Sequence, residues 1–186
     1  MPGDSLDANP TPEGINSILF DETTIDQRIK ELAEGIEERC GSDGLTIICV
    51  LTGALMFAAD LARKLDFPVE IDCLRIGSYG NRLNSVSKPK FSAPLKNSIR
   101  GKPVLIVDDI LDTGHTLSAL MSDLEKQNPS SIHSCVLLDK PDRRQVDIEA
   151  DFVGFTIPDA FVVGYGLDFA EKFRALPYIA TLESAQ

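Results

Sequence analysis

The chain has 186 residues, enough for one domain with a real core, and its 43% hydrophobic and 25% charged content is ordinary for a globular protein. A net charge of −11 and a pI of about 4.6 oppose binding to polyanions, so any nucleotide chemistry is expected to involve small molecules and no nucleic acid. The longest apolar run, 45–62, is broken by Thr52, Gly53 and Asp60, so no membrane span is expected. Cys40, Cys49, Cys73 and Cys135 form no C-x-x-C pair and read as reduced thiols. Residues 1–12 are acidic, proline-rich and polar, unlike a secretory leader, and a cytoplasmic protein is expected.

In chain order, 1–13 reads as a disordered tail and 14–186 as a single domain. A short strand is expected over 17–20. An amphipathic helix follows over 24–40, with Ile25, Ile29, Leu32, Ala33 and Ile36 on one face, a capping box of Thr24 and Gln27, and Gly41 as its stop. "LTIICVL", 45–51, is a strand buried on both faces. Thr52 and Gly53 turn it into a helix over 54–65. Further strands are expected over 69–76, 102–107 and 132–138, with a helix over 115–127 that Asn128 and Pro129 end. Short strands near 151–156, 161–163 and 178–182 complete the chain.

Strands alternating with helices predict an α/β fold whose central parallel sheet is covered on both faces. Ligands of such sheets sit beyond the carboxyl ends of the strands, so Thr52-Gly53, Ser78-Tyr79, Asp108 to Thr116 and Lys140 are the informative positions. The polar stretch 77–98 breaks the alternation and reads as a functional loop over the site.

"VLIVDDILDTGHTL", 104–117, carries the chemistry. Unpaired N–H groups at a helix start, a turn centred on Gly114 and the hydroxyls of Thr113 and Thr116 suit a phosphate. The motif is neither a Walker loop nor a dinucleotide fingerprint, since G-K-[ST] and G-x-G-x-x-G are both absent here. Main chain therefore holds the anion, and Asp108, Asp109 and Asp112 serve something else. Asp108 and Asp109 end the strand with diverging side chains, which suit a vicinal diol, a bound Mg²⁺, or both. One acid could instead cap the helix. Phosphate, diol and cation in one turn describe a phosphorylated ribose.

That segment resembles the ribose-phosphate signature of the type I phosphoribosyltransferases. The C-terminal "DFVGFTIPDAFVVGYGLDFAEKFRALPYI", with "LTGALMFAADL" and "LRIGSYG", resembles the hypoxanthine–guanine phosphoribosyltransferases in particular, over about residues 15 to 182. The resemblance implies transfer of 5-phosphoribosyl from phosphoribosyl pyrophosphate (PRPP) to a purine. It further implies a type I phosphoribosyltransferase fold with a flap over about 77–98 and a hood from the N-terminal strand region and about 151–186. By resemblance, Asp112 is the general base near purine N7, and Asp108 and Asp109 hold the ribose hydroxyls, in part through Mg²⁺. Asp112, Thr113, Gly114, His115 and Thr116 cradle the 5′-phosphate, with His115 acting through its N–H. Thr52, Gly53, Ser78, Tyr79 and Arg174 serve pyrophosphate, and Asp168 its Mg²⁺. Phe161 stacks on the base, Val162 reads its edge by main chain, and Lys140 donates to the 6-oxo group. A dimer or tetramer is implied as well. Ala160 stands where many relatives carry Lys or Arg, which leaves xanthine, adenine or a pyrimidine open as the base. A PRPP-sensing regulator of the same fold is a further alternative.

Overall fold

A computed structural model describes residues 14–41, 43–77, 90–91 and 94–182. Strand β1 (Ile15–Phe20) leads into helix α1 (Glu22–Cys40). The helix begins earlier than its apolar periodicity predicts because Asp21 is the N-cap. Its carboxylate accepts the Thr24 amide at 2.8 Å, and Gln27 donates to Glu31 at 3.3 Å instead of closing a capping box. Gly41 ends the helix with φ 79°, as expected. The five predicted apolar residues of α1 are all buried.

Next come β2 (Leu45–Leu51), α2 (Leu55–Lys64), β3 (Val69–Gly77), β4 (Lys90–Phe91), β5 (Pro103–Leu111), α3 (His115–Glu125), β6 (Ser131–Asp139) and β7 (Phe152–Thr156). They form a six-stranded sheet in the order β4-β3-β2-β5-β6-β7. Five strands are parallel, and β4 runs antiparallel to β3 at one edge. β4 lies inside the stretch read from sequence as a loop; Ser78 and Tyr79 lie outside the described residues. A second, antiparallel sheet is built from β1, β9 (Ile179–Leu182) and β8 (Val162–Val163), in that order.

Side-chain alternation explains why the central strands read as unbroken apolar runs. Ile47 and Cys49 of β2, with Leu105 and Val107 of β5, pack against α1 and α2. Ile48 and Val50, with Val104 and Ile106, pack on the opposite face against Leu117, Leu120 and Leu124 of α3. The same alternation, carried two residues on, sends Asp108 toward the α3 face and Asp109 toward the α1–α2 face. The edge strand β7 is covered: Arg28 of α1 donates to the carbonyls of Val153 and Gly154, each at 2.8 Å.

At the amino ends of the strands a polar cluster pins three elements together. Asp151, just before β7, accepts the Ser134 amide at 2.9 Å and the Ser134 hydroxyl at 3.2 Å. Arg39 of α1 pairs with it at 2.7 Å, and His133 Nδ1 lies 3.4 Å away. Cys49 and Cys135 are buried, Cys40 is half-buried and Cys73 is exposed; all four are free thiols.

Candidate functional site

The sheet changes direction of growth between β2 and β5: β3 is added on one side and β6 on the other. Crevices outside the carboxyl ends of such strands take ligands, and Asp108, Asp109, Asp112, Thr113, Gly114, Thr116, Lys140, Phe161, Val162 and Asp168 line cavities there. β5 runs longer than expected, to Leu111, so Asp108 and Asp109 are strand residues and only Asp112 lies in the turn. Their side chains still diverge, because they occupy consecutive strand positions.

The turn Asp112 to Gly114 then enters α3. Gly114 has φ 86°, and a Cβ there would lie 2.6 Å from Ile148 Cγ2 and 2.8 Å from Val146 Cγ2, so glycine is required on both counts. A cavity of about 320 Å³ opens at the start of α3, where the first-turn amides have no intrahelical partner. Asp108, Asp109, Asp112, Thr113, Gly114 and Thr116 are among the residues that line it. The His115 ring is exposed and lies 3.2 Å from Gln145 Oε1, outside that lining.

Gly53 follows β2 after a cis Leu51–Thr52 peptide. Its Cα presses on Asp109: a Cβ would lie 1.6 Å from Asp109 Oδ2. The C-terminal loop closes on the same spot, since a Cβ on Gly166 would lie 2.0 Å from the Gly53 carbonyl oxygen. Arg174 donates to the Gly166 carbonyl at 2.8 Å and pairs with Asp168 at 2.7 Å, while its Nε is buried without a partner. Thr52, Gly53, Asp109, Asp168 and Arg174 thus form a contiguous group.

Burial pushes the Asp108 carboxyl well above the usual carboxylate range, and the neighbouring Asp109 adds to the effect. Asp109 is raised too, chiefly by burial, although Asp108, nearby amides and the Arg174 charge act against it. A buried and a partly buried acid with few donors are suited to ribose hydroxyls or a cation. Among the described residues no three His, Cys, Asp or Glu side chains converge to hold an ion on their own. The carboxylates present match Mg²⁺, which commonly takes one or two protein oxygens and completes its shell with phosphate and water.

A second cavity, of about 430 Å³, shares Asp109, Ile110 and Asp112 with the first and extends to Lys140, Arg143, Asp159, Phe161, Val162 and Asp168. Phe161 is 57% exposed, with its ring 5.5 Å from Phe169 in an edge-to-face pair, so one ring face is open to a flat ligand. Lys140 is buried and donates to the Ala160 carbonyl at 2.6 Å, which leaves ammonium donors for a ligand.

Three residues escaped the sequence reading. Arg143 Nε donates to Asp112 Oδ1 at 3.0 Å, and its Nη1 lies 3.4 Å from Asp159. Arg144 donates to the Leu111 carbonyl at 3.0 Å and to that of Asp112, and pairs with Asp139, bracing the turn against β6. The available signal was "KPDRR", two arginines directly after a strand's carboxyl end.

Among the described residues no helix is long and apolar enough to cross a membrane. The phosphoribosyl transferase domain model matches residues 16–170. The hypoxanthine phosphoribosyltransferase of Salmonella typhimurium is 44% identical over 164 residues, 87% of this chain and 92% of that protein. The hypoxanthine-guanine phosphoribosyltransferase of Bacillus subtilis is 44% identical over 171 residues, 92% of this chain and 95% of that protein. The crystal structure of a Bacillus anthracis hypoxanthine-guanine phosphoribosyltransferase, with HEPES in its active site, superposes with a TM-score of 0.87 at 43% identity, covering 91% of this chain and 99% of that one. The chain therefore belongs to the phosphoribosyltransferase family, among its hypoxanthine and hypoxanthine-guanine members.

Proposed function

We infer that the protein is a pentosyltransferase of purine salvage, converting hypoxanthine, and guanine with it, plus PRPP into IMP or GMP plus pyrophosphate. One observation carries this reading beyond family membership: the two cavities meet at Asp109, Ile110 and Asp112. A mononucleotide needs such an arrangement, with an anion seat at a helix start on one side of a pair of acids and an aromatic slot on the other.

In this reading the amides of Asp112 to Thr116 and the hydroxyls of Thr113 and Thr116 hold the 5′-phosphate. Asp108 and Asp109 accept from the ribose hydroxyls. Thr52, Gly53 and Arg174 orient the pyrophosphate, and Ser78 and Tyr79 are assigned to the same ligand. The free Nε of Arg174 supports its part, since a buried donor without a partner is poised for an oxyanion. Phe161 stacks on the purine and the Val162 main chain reads its edge. Lys140 carries only donors, which favours a 6-oxo group over a 6-amino group. Mg²⁺, held by Asp168 and by Asp108 and Asp109, would neutralise charge on the leaving pyrophosphate.

During transfer the C1′–pyrophosphate bond breaks with its electron pair leaving on pyrophosphate, purine N9 bonds to C1′, and the purine's N7 proton passes to Asp112. Charge builds on the sugar ring as in glycoside cleavage, so competing water must be kept from the reacting carbon. We read the protein as a cytoplasmic homo-oligomer, a dimer or tetramer. Exposed Leu55, Met56 and Ile71 are apolar surface suited to self-association. The test is turnover with PRPP, Mg²⁺ and each base in turn, followed by chelation. Hypoxanthine and guanine give nucleotide, activity stops with a chelator, and Mg²⁺ restores it. No product from either base, or turnover only with xanthine, adenine or a pyrimidine, contradicts the reading.

A further inference from the structure

We propose that Arg143 and Asp159 form a positioning bridge that joins the two proposed base-reading groups, Asp112 and Lys140, into one preset unit. The inference rests on the purine reading above and adds two residues to it. Four side chains of alternating charge run along one wall of the larger cavity. Lys140 Nζ lies 3.8 Å from Asp159 Oδ1, Arg143 Nη1 lies 3.4 Å from Asp159 Oδ2, and Arg143 Nε donates to Asp112 Oδ1 at 3.0 Å.

The chemistry of the ligand gives this chain a purpose. In a 6-oxopurine, O6 and N7 lie side by side on one edge. A donor must meet O6 and an acceptor must meet the proton on N7, at a fixed separation. Lys140 is on a flexible stem, and Asp112 lies in a turn after β5, so neither fixes that separation alone. A planar guanidinium that spans two carboxylates does. Arg143 takes Oδ1 of Asp112 and leaves the second oxygen to the purine. Asp159 holds the other end of Arg143 and draws the Lys140 ammonium to the same wall, while the Ala160 carbonyl at 2.6 Å fixes it from behind. Among the described residues Arg143 is the only side chain bonded to the Asp112 carboxylate.

Folding stability does not account for the arrangement. Arg143, Asp112 and Asp159 have side chains 46%, 38% and 54% exposed, and ion pairs so exposed contribute little to a fold. Their value lies in geometry, where misplacing a reacting group by a fraction of an ångström slows the reaction.

The test compares wild type with Arg143→Gln, Asp159→Asn, the double variant and Arg143→Lys. It measures kcat and KM for hypoxanthine, affinity for PRPP by calorimetry, and thermal midpoints. Each single neutral variant is expected to lower kcat/KM for hypoxanthine about tenfold, with PRPP affinity within about twofold of wild type and the midpoint unchanged. The double variant is expected to be no worse than Arg143→Gln, because both changes cut one bridge. Arg143→Lys, which keeps the charge but cannot span two carboxylates, is expected to fall between wild type and Arg143→Gln. Unchanged kcat/KM in the single variants overturns the bridge while leaving the purine reading intact. So do losses that multiply in the double variant, or PRPP affinity that falls in step. A wild-type protein that makes no nucleotide from hypoxanthine removes both.

Discussion

Asp108 and Asp151 sit at opposite ends of the same sheet, and their surroundings drive them in opposite directions. Asp151 is half-buried, and burial alone would raise its carboxyl. The Ser134 amide and hydroxyl and the neighbouring His133 more than offset that and hold it below the usual range. Asp108 is buried more deeply, with Asp109 beside it, and is pushed up. The fold surrounds one acid with donors and leaves the other short of them. An acid satisfied by its own chain is part of the scaffold; one that is not is waiting for a ligand. The two ends of the strands thus differ: the amino ends carry acids satisfied by the fold, and the carboxyl ends carry the acids that the proposed function assigns to the substrate.

The largest effect that tests this division is expected at Asp108 and Asp109. Asp108→Asn or Asp109→Asn removes a buried or partly buried acid that lacks sufficient donors, so the thermal midpoint of the ligand-free protein should stay level or rise. PRPP affinity should fall by about a hundredfold or more, as expected for losing charge-assisted hydrogen bonds in a buried site. Calorimetry and thermal denaturation on the same samples read both. A midpoint that drops sharply would place these acids with the scaffold. Asp112→Asn is next. It should cut turnover by about 10² while PRPP affinity changes little, because acid–base help is lost and the phosphate seat is kept. Equal turnover would take Asp112 out of the proton step.

The scaffold acid should behave conversely. Asp151→Ala strands the Ser134 amide and Arg39, at a cost of about 2 kcal/mol, which lowers the midpoint by roughly 4–8 °C in a chain of this size and leaves kcat/KM unchanged. The pH dependence has a definite sign. The folded carboxyl lies below its ordinary 3.8, so its stabilisation is complete above that value and fades as the pH falls through the folded value. The midpoint gap between wild type and Asp151→Ala should therefore be widest near neutrality and close in acid. A gap that widened in acid would contradict the partners assigned to Asp151.

The carboxyl-end half of this division was legible in the sequence, for a physical reason, and the Asp151 cluster was not. Strands buried on both faces must be continuously apolar, so "LTIICVL" and "VLIV" identify themselves, and the residues just after such strands are where ligands bind. The two acids and T-G-x-T stood out because a buried strand has little reason to end in charge. The extension of β5 through Asp109 to Leu111 was hidden because polar residues at a strand's end read as a turn. Asp21 was hidden as the N-cap because Thr24 with Gln27 offers the same local signal. Arg143 and Asp159 were illegible because their significance depends on a contact across 16 residues that only the folded loop makes. The small sheet pairs β1 with β9 across most of the chain, a pairing with no local signature.

The smallest expected effect isolates what burial contributes to the comparison. Glu70 and Lys102 also sit at the amino ends of the strands, and Lys102 Nζ lies 2.7 Å from both carboxylate oxygens. By distance alone this pair is as good as Asp151 with Arg39. The side chains are 53% and 38% exposed, however, so water supplies nearly the same stabilisation when the partner is removed. Glu70→Gln should shift stability by less than about 1 kcal/mol, a few degrees at most, and added salt should shrink even that. If Glu70→Gln cost as much as Asp151→Ala, proximity of charge and not the withdrawal of water would be what fixes an acid's role. The contrast between Asp108 and Asp151 would then have to be explained by position in the sheet alone.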